Sequence, residues 1–340
     1  MLDRQIDALL ERVSKPARYI GGEMNACPPK PGAAVRFAFC FPDVYEVGMS
    51  HLGMKILYHL INERKDASCE RVFTPWPDMA DGMRAAGVPL FSLESRTPVR
   101  EFDLVGFTLQ YEMSYTNILE MLDLAGIPLR GADRGQADPI VIAGGPCAFN
   151  PEPLHAFIDA FVVGDGEEAT LEVLDAVRAS REKGESRTEC LRGLARIPGV
   201  YVPSLYVAAY HPDGALSLFA PRDPAAPLRV QKRTLPDLDK AYYPREMVVP
   251  YMEIVHDRVM LEVMRGCTRG CRFCQAGMLY RPVRERSLTS LMDVAQALID
   301  KTGYEEISLS SLSTGDFSCL PELAQGLTDK FEKQRVSLSL

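Results

Sequence analysis

The chain has 340 residues, of which 46% are apolar and 25% charged, and 46 acidic side chains against 38 basic ones leave a net charge of −8. That composition excludes a disordered chain, a disulfide miniprotein and a membrane protein, because no apolar run approaches the ~20 residues a bilayer requires. At roughly 150 residues per domain the length predicts two domains, and the acidic balance argues against a broad nucleic-acid footprint.

Residues 1–30 read as a helix followed by an arm. MLDRQIDALLERV carries Leu2, Ile6, Leu9, Leu10 and Val13 on one amphipathic stripe. Acidic residues interrupt it and no apolar core follows, so it is no signal peptide. The expected compartment is therefore the cytoplasm, where thiols stay reduced. The nine cysteines are then core residues, metal ligands or catalytic groups.

Residues 31–180 alternate regularly. AVRFAFC (34–40) is a buried strand and HLGMKILYHLINE (51–63) a helix. CERVFTP and VPLFSLE are short strands flanking a helix at 77–86. DLVGFTL (103–109) is a strand, SYTNILEMLDLAG a helix ending at Gly126, PIVIAGG (139–145) and DAFVVG (159–164) strands, and GEEATLEVLDAVRAS a helix. Apolar strands alternating with helices predict an α/β fold with a doubly wound parallel sheet, whose ligands bind at the carboxyl ends of the strands. Residues 181–250 are a connection: a polar stretch at 181–198, a hairpin turning at Pro212-Asp213-Gly214, and a proline-dotted linker. Alternation resumes over 251–340, with strands DRVMLEVMRG, EEISLSSLS and RVSLSL and helices SLMDVAQALIDKTG and PELAQGLTDKFEK.

The strongest chemical signal is Cys267-Thr-Arg-Gly-Cys271-Arg-Phe-Cys274. Its spacing places three thiols on one short loop directly after a strand. Zinc sites usually add a second distant pair or histidines, and no further CxxC exists. A redox CxxC needs only two cysteines, opening a helix. Three thiolates on an iron–sulfur cubane leave one iron open for a substrate. Between Arg265 and Arg286 stand six arginines and one acid, a local charge of +5 in an acidic protein, which would stabilise an anionic cluster.

This spacing, with the aromatic Phe273 before the third cysteine, resembles the radical SAM superfamily. The resemblance implies that Cys267, Cys271 and Cys274 ligate a [4Fe-4S] cluster and that S-adenosylmethionine (SAM) chelates the fourth iron. One electron then cleaves its sulfonium to a 5′-deoxyadenosyl radical. It further implies a partial (β/α) barrel that begins at the strand before Cys267. The family's Gly-Gly-Glu segment, which holds the SAM amino group, falls here on Ser313-Thr314-Gly315-Asp316, with Asp316 as a shorter acceptor. Arg286 is the SAM partner by family position. A literal Gly21-Gly22-Glu23 precedes the cysteines, follows no strand and is discounted. Radical SAM barrels resemble about six βα units, and 251–340 holds fewer than three. The chain is therefore expected to be truncated at its C-terminus, inside the open strand RVSLSL.

A doubly wound domain ahead of such a core resembles the subfamily with an N-terminal cobalamin-binding-like domain. The family's Asp-x-His-x-x-Gly loop reads Asp43, Val44, Tyr45, with tyrosine where the cobalt-ligating histidine stands. His51 is out of register and is expected to cap its helix. Any cobalamin is therefore expected to lack a histidine ligand from the protein. The resemblance places cobalamin contacts at Thr108, at Gly144 and Gly145, and at Gly164 and Gly166. Gly164 to Ala169 also spells a dinucleotide fingerprint, but NAD is rejected because this is the last βα unit and Asp165, Glu167 and Glu168 would repel a pyrophosphate.

The expectation is a radical SAM enzyme that reductively cleaves SAM, with cobalamin as an additional cofactor, acting on an unidentified substrate. It draws its electron from a flavodoxin or ferredoxin. The alternative is a non-enzymatic iron–sulfur electron carrier or an RNA-binding accessory protein.

Overall fold

The computed structural model describes residues 2–340. Helix α1 (Leu2–Leu10) buries Ile6 and Leu9, and Leu2, Leu10 and Val13 of the same stripe pack partly against the same core. A six-stranded sheet follows in the order β2-β1-β3-β4-β5-β6. Its strands are β1 (Val35–Phe41), β2 (Ala67–Phe73), β3 (Leu104–Thr108), β4 (Ile140–Gly144), β5 (Ala160–Val162) and β6 (Val200–Tyr201). The first five are parallel and β6 is antiparallel to β5. Helices α2 (Leu52–Glu63), α3 (Pro77–Ala86) and α4 (Tyr115–Leu124) make the first three crossovers, and α5 (Glu167–Glu182) follows β5. The strand order reverses between β1 and β3, which creates a crevice at the carboxyl ends of these strands.

Edge strand β2 is buried along its whole length, including Ser68, Glu70 and Arg71. An open edge invites association with another chain, and the preceding arm closes this one. Lys30 donates its Nζ to the carbonyls of Asn62, Arg64 and Ala67, and its N–H to Ser68 Oγ at 3.1 Å. Arg71 forms ion pairs with Glu23 of the arm and with Glu94.

Three local expectations differ from the structure. VPLFSLE forms no strand, only an isolated bridge between Phe91 and Pro98. Ser92 of this segment and the following Ser95 instead wrap a buried carboxylate: Ser92 Oγ donates to Glu70 at 2.7 Å and the Ser95 N–H donates at 3.2 Å. The polar connection at 181–198 contains helix α6 (Arg187–Ala195). It is started by a capping box between Ser186 and Glu189, a Ser-x-x-Glu signal that the polar composition obscured. Val200 and Tyr201 join the main sheet, and the hairpin consists of β7 (Tyr206–Tyr210) and β8 (Leu216–Pro221) alone.

The second unit has its own core. Strands β9 (Val259–Glu262), β12 (Glu306–Ser310) and β13 (Ser337–Ser339) form a parallel sheet in the order β13-β12-β9. Helices α7 (Leu288–Thr302) and α8 (Leu320–Phe331) cover it, and Leu261, Leu298, Leu309 and Leu323 meet between them. The short strands β10 (Met264–Arg265) and β11 (Arg284–Glu285) pair antiparallel and enclose the cysteine loop. The architecture is thus α/β, a doubly wound sheet followed by a smaller three-stranded parallel sheet covered by two helices. Among the described residues no helix is long and apolar enough to cross a membrane.

Candidate functional site

A cavity of about 400 Å³ lies where the carboxyl ends of the main sheet face the second unit. That volume is within the range of small-molecule sites. Its inner part is apolar, formed by Phe37 and Phe39 of β1, Ile56 of α2 and Ile142 of β4. Thr108, Gly144, Gly145, Gly164 and Gly166 all line it, so residues from the ends of three strands, β3, β4 and β5, converge on one space. From the second unit Glu262, Met264, Arg265 and Gly266 complete the wall, and Ser310 and Leu312 close it at the end of β12.

The glycines serve different ends. Gly145 has φ +109°, and a Cβ there would press on the Leu109 carbonyl at 2.7 Å, so the backbone turns tightly behind the cavity rim. Gly164 has φ +106°, and a Cβ would overlap the backbone of Arg233. Arg233 bridges to Gly164 and bonds to its neighbours, the Arg233 N–H reaching the Val163 carbonyl at 2.7 Å. The smallness of Gly164 is therefore used to dock the linker as well as to border the cavity.

His51 stands at the cavity and is the N-cap of α2, its Nδ1 accepting the Met54 N–H at 3.1 Å. Accepting at Nδ1 leaves the ring proton on Nε2, so this histidine is a donor without a free lone pair. Burial pushes its pKa down to about 4, against the opposing effect of the Gln110 side chain and with help from Lys55. Gln110 in turn donates to Thr108 Oγ1 at 2.5 Å.

The cysteine loop leaves the wall of this cavity at Gly266. Cys267 and Cys274 are half-buried, and Cys271 and Phe273 are exposed. The Arg269 N–H points to Cys267 Sγ at 3.5 Å, and Cys274 N–H bonds to the Cys271 carbonyl at 3.0 Å. The three thiols are not gathered around one point. Among the described residues no group of three or more Cys, His, Asp or Glu is placed to hold a metal. The donor set is nevertheless suited to iron–sulfur ligation, being soft thiolates with an amide directed at one sulfur.

The Ser313–Asp316 segment forms a helical turn over Thr314–Asp316 beside that loop. Asp316 accepts from Ser313 Oγ at 2.7 Å and from Arg269 Nε at 2.6 Å, with a second bond from the same guanidinium. Arg269 and Ser313 hold its carboxyl below the usual carboxylate range. Arg286 is buried away from the cavity. It donates to the Leu238 carbonyl and to Glu262 at 3.3 Å, and its guanidinium lies 4.9 Å from the Tyr243 ring centroid. Glu23 of the discounted Gly-Gly-Glu bonds to Arg71 and Tyr45 in the sheet core.

Asp165 and Glu167, read from sequence as repelling a pyrophosphate, are paired with arginines of the second unit. Nothing in the local sequence around either group signals this pairing. Glu262, at the end of β9, was likewise not anticipated; it binds Arg265 Nε at 2.8 Å.

Two family models match the chain: the N-terminal region of radical SAM proteins over residues 53–203, and the radical SAM superfamily over residues 261–339. An uncharacterized protein of Methanocaldococcus jannaschii is 25% identical over 295 residues, covering 86% of this chain and 52% of that one. The fold is similar to that of TsrM from Kitasatospora setae, a radical S-adenosylmethionine methyltransferase. The match to its form with cobalamin and a [4Fe-4S] cluster has a TM-score of 0.54 at 15% identity, covering 89% of this chain and 55% of that one. The form with tryptophan substrate and the SAM analogue aza-SAM gives a TM-score of 0.53 at 15% identity, covering 89% and 54%. The chain spans about half the length of these relatives.

Proposed function

The chain belongs to the radical SAM superfamily, and from that premise we propose that it is an enzyme that binds a [4Fe-4S] cluster, SAM and cobalamin. One observation carries this reading. A single cavity touches the five residues assigned to cobalamin and also the root of the cysteine loop at Arg265 and Gly266. Two cofactors bound there would adjoin each other. The cobalamin- and cluster-bound form of TsrM, alike in fold, supports the same pairing.

Cys267, Cys271 and Cys274 are the cluster ligands in this reading. Bound there, the cluster supplies the electron that cleaves the SAM sulfonium. Ser313 and Asp316 receive the SAM amino group. The Asp316 carboxylate is held by Arg269 in the structure, so taking up SAM exchanges one cation for another. Arg286 acts from behind, orienting Glu262 at the cavity wall. The apolar surfaces of Phe37, Phe39 and Ile142 exclude water from the bound cofactor. The electron comes from a small redox protein of the flavodoxin or ferredoxin class.

The test is anaerobic incubation of the reconstituted protein with SAM and dithionite. Consumption of SAM to 5′-deoxyadenosine or S-adenosylhomocysteine is expected, and an electron carrier would produce neither. A second prediction follows from the His51 tautomer. Titrated with hydroxocobalamin and reduced to Co(II), the protein is expected to give an EPR spectrum without imidazole superhyperfine splitting. Splitting that vanishes in His51→Ala would show that the helix cap opens to release a ligand.

A further inference from the structure

The cysteine loop is held at its base by a residue of the other domain. Arg265 and Arg284 face each other across the stem strands β10 and β11, at the last pair before the loop opens. Two guanidinium groups in that position repel. Asp165, from the loop after β5, lies against both: Oδ1 accepts from Arg265 Nη1 at 3.2 Å and Oδ2 accepts from Arg284 Nη1. The same carboxylate accepts the Leu235 N–H at 2.7 Å, which adds the linker to the assembly. The side chains of Asp165 and Arg284 are only 9% and 6% exposed, so these charges are little screened by water. Glu167 holds the other end of the Arg265 guanidinium.

Asp165 and Glu167 also border the cavity. A ligand filling that space rests against the segment that anchors the stem, two residues before Cys267. We propose that Asp165 is a positioning residue for the cysteine loop, and that through it occupancy of the cavity and the arrangement of the three thiols are coupled. Such coupling is reciprocal: whatever the cavity ligand does to the loop, loop closure does to ligand affinity. The inference rests on the proposed function only in taking the thiols as cluster ligands and the cavity as a cobalamin site.

Two measurements test it, with Asp165→Asn as the variant and Glu168→Gln as the control. Glu168 is three residues on, in the first turn of α5, and its carboxylate bonds to Arg233 at 3.1 Å instead of to the stem. The first is amide hydrogen exchange of the intact protein without added cofactors. Peptides within 264–285 should exchange about tenfold faster in Asp165→Asn and at the parent rate in Glu168→Gln. Unchanged exchange in Asp165→Asn would overturn the anchoring role. Should that variant not fold, Arg284→Lys, which keeps the charge and loses the fork geometry, takes its place with the same expected result. The second is the EPR spectrum of the reduced cluster with and without hydroxocobalamin. The parent should show a cobalamin-dependent change in g values, and Asp165→Asn should bind cobalamin yet lose that change. An equal change in both would overturn the coupling. If the parent bound no cluster or no cobalamin, the proposed function would fail, and the exchange experiment would still decide whether Asp165 anchors the loop.

Discussion

Cys267→Ala, Cys271→Ala and Cys274→Ala are each expected to lose nearly all bound iron after anaerobic reconstitution, where the parent holds about four irons per chain. Cys319→Ala is expected to retain them. The three thiols share one loop outside both hydrophobic cores, so removing any of them costs a ligand and little packing. Cys319 sits at the start of α8 and packs against the second core. Cys40, Cys69 and Cys190 are buried, and burial raises their thiol pKa values, which disfavours the thiolate that ligation needs. Iron content and the visible charge-transfer band measure the outcome, and unchanged far-UV circular dichroism separates ligand loss from misfolding. Iron retained in any of the three single variants, or lost in Cys319→Ala, would refute the three-thiolate site.

The largest effect on stability is expected from Arg71→Met, a loss of about 3–5 kcal/mol. Arg71 is 1% exposed. Its Nε donates to Glu94 at 2.6 Å and its Nη2 to Glu23 at 2.7 Å. Methionine fills part of the volume and leaves two buried carboxylates with no shared cation. Burial raises the pKa of Glu94 even with Arg71 present, whereas Arg71 and Tyr45 leave that of Glu23 lowered. Breaking one member of a buried ionic group costs more than removing it whole. Arg71→Met combined with Glu23→Gln and Glu94→Gln should therefore regain part of the loss. Urea unfolding followed by circular dichroism gives both numbers. A loss below about 1 kcal/mol for the single variant would mean that the carboxylates find other partners or water.

The alternation of apolar segments determined the two α/β units, because side-chain periodicity is a local property of the chain. The x3 and x2 spacing of three cysteines likewise placed the candidate cluster ligands on one loop without reference to anything distant. Where short-range signals conflicted, sequence reasoning failed. Ser92 of VPLFSLE and the adjacent Ser95 bind Glu70 and draw the segment out of strand geometry, and the capping box at Ser186 outweighs the polar composition of the helix it begins.

What only the tertiary structure decided is the pairing of groups far apart in the chain. From sequence, Asp165 and Glu167 are a negative loop and Arg265 and Arg284 a positive one. In the fold they neutralise each other at the base of the cysteine loop. Arg286, assigned to SAM by position, turns to Leu238 and Glu262 because its burial demands nearby acceptors. His51 shows the same division. Its place before an apolar helix marks it as a cap, but that it faces the same cavity as Thr108 and Gly144 depends on the parallel pairing of β1 with β3. Local spacing sets which atoms lie on one turn or strand. Desolvation then decides which distant charges must meet, and that is a property of the assembled core.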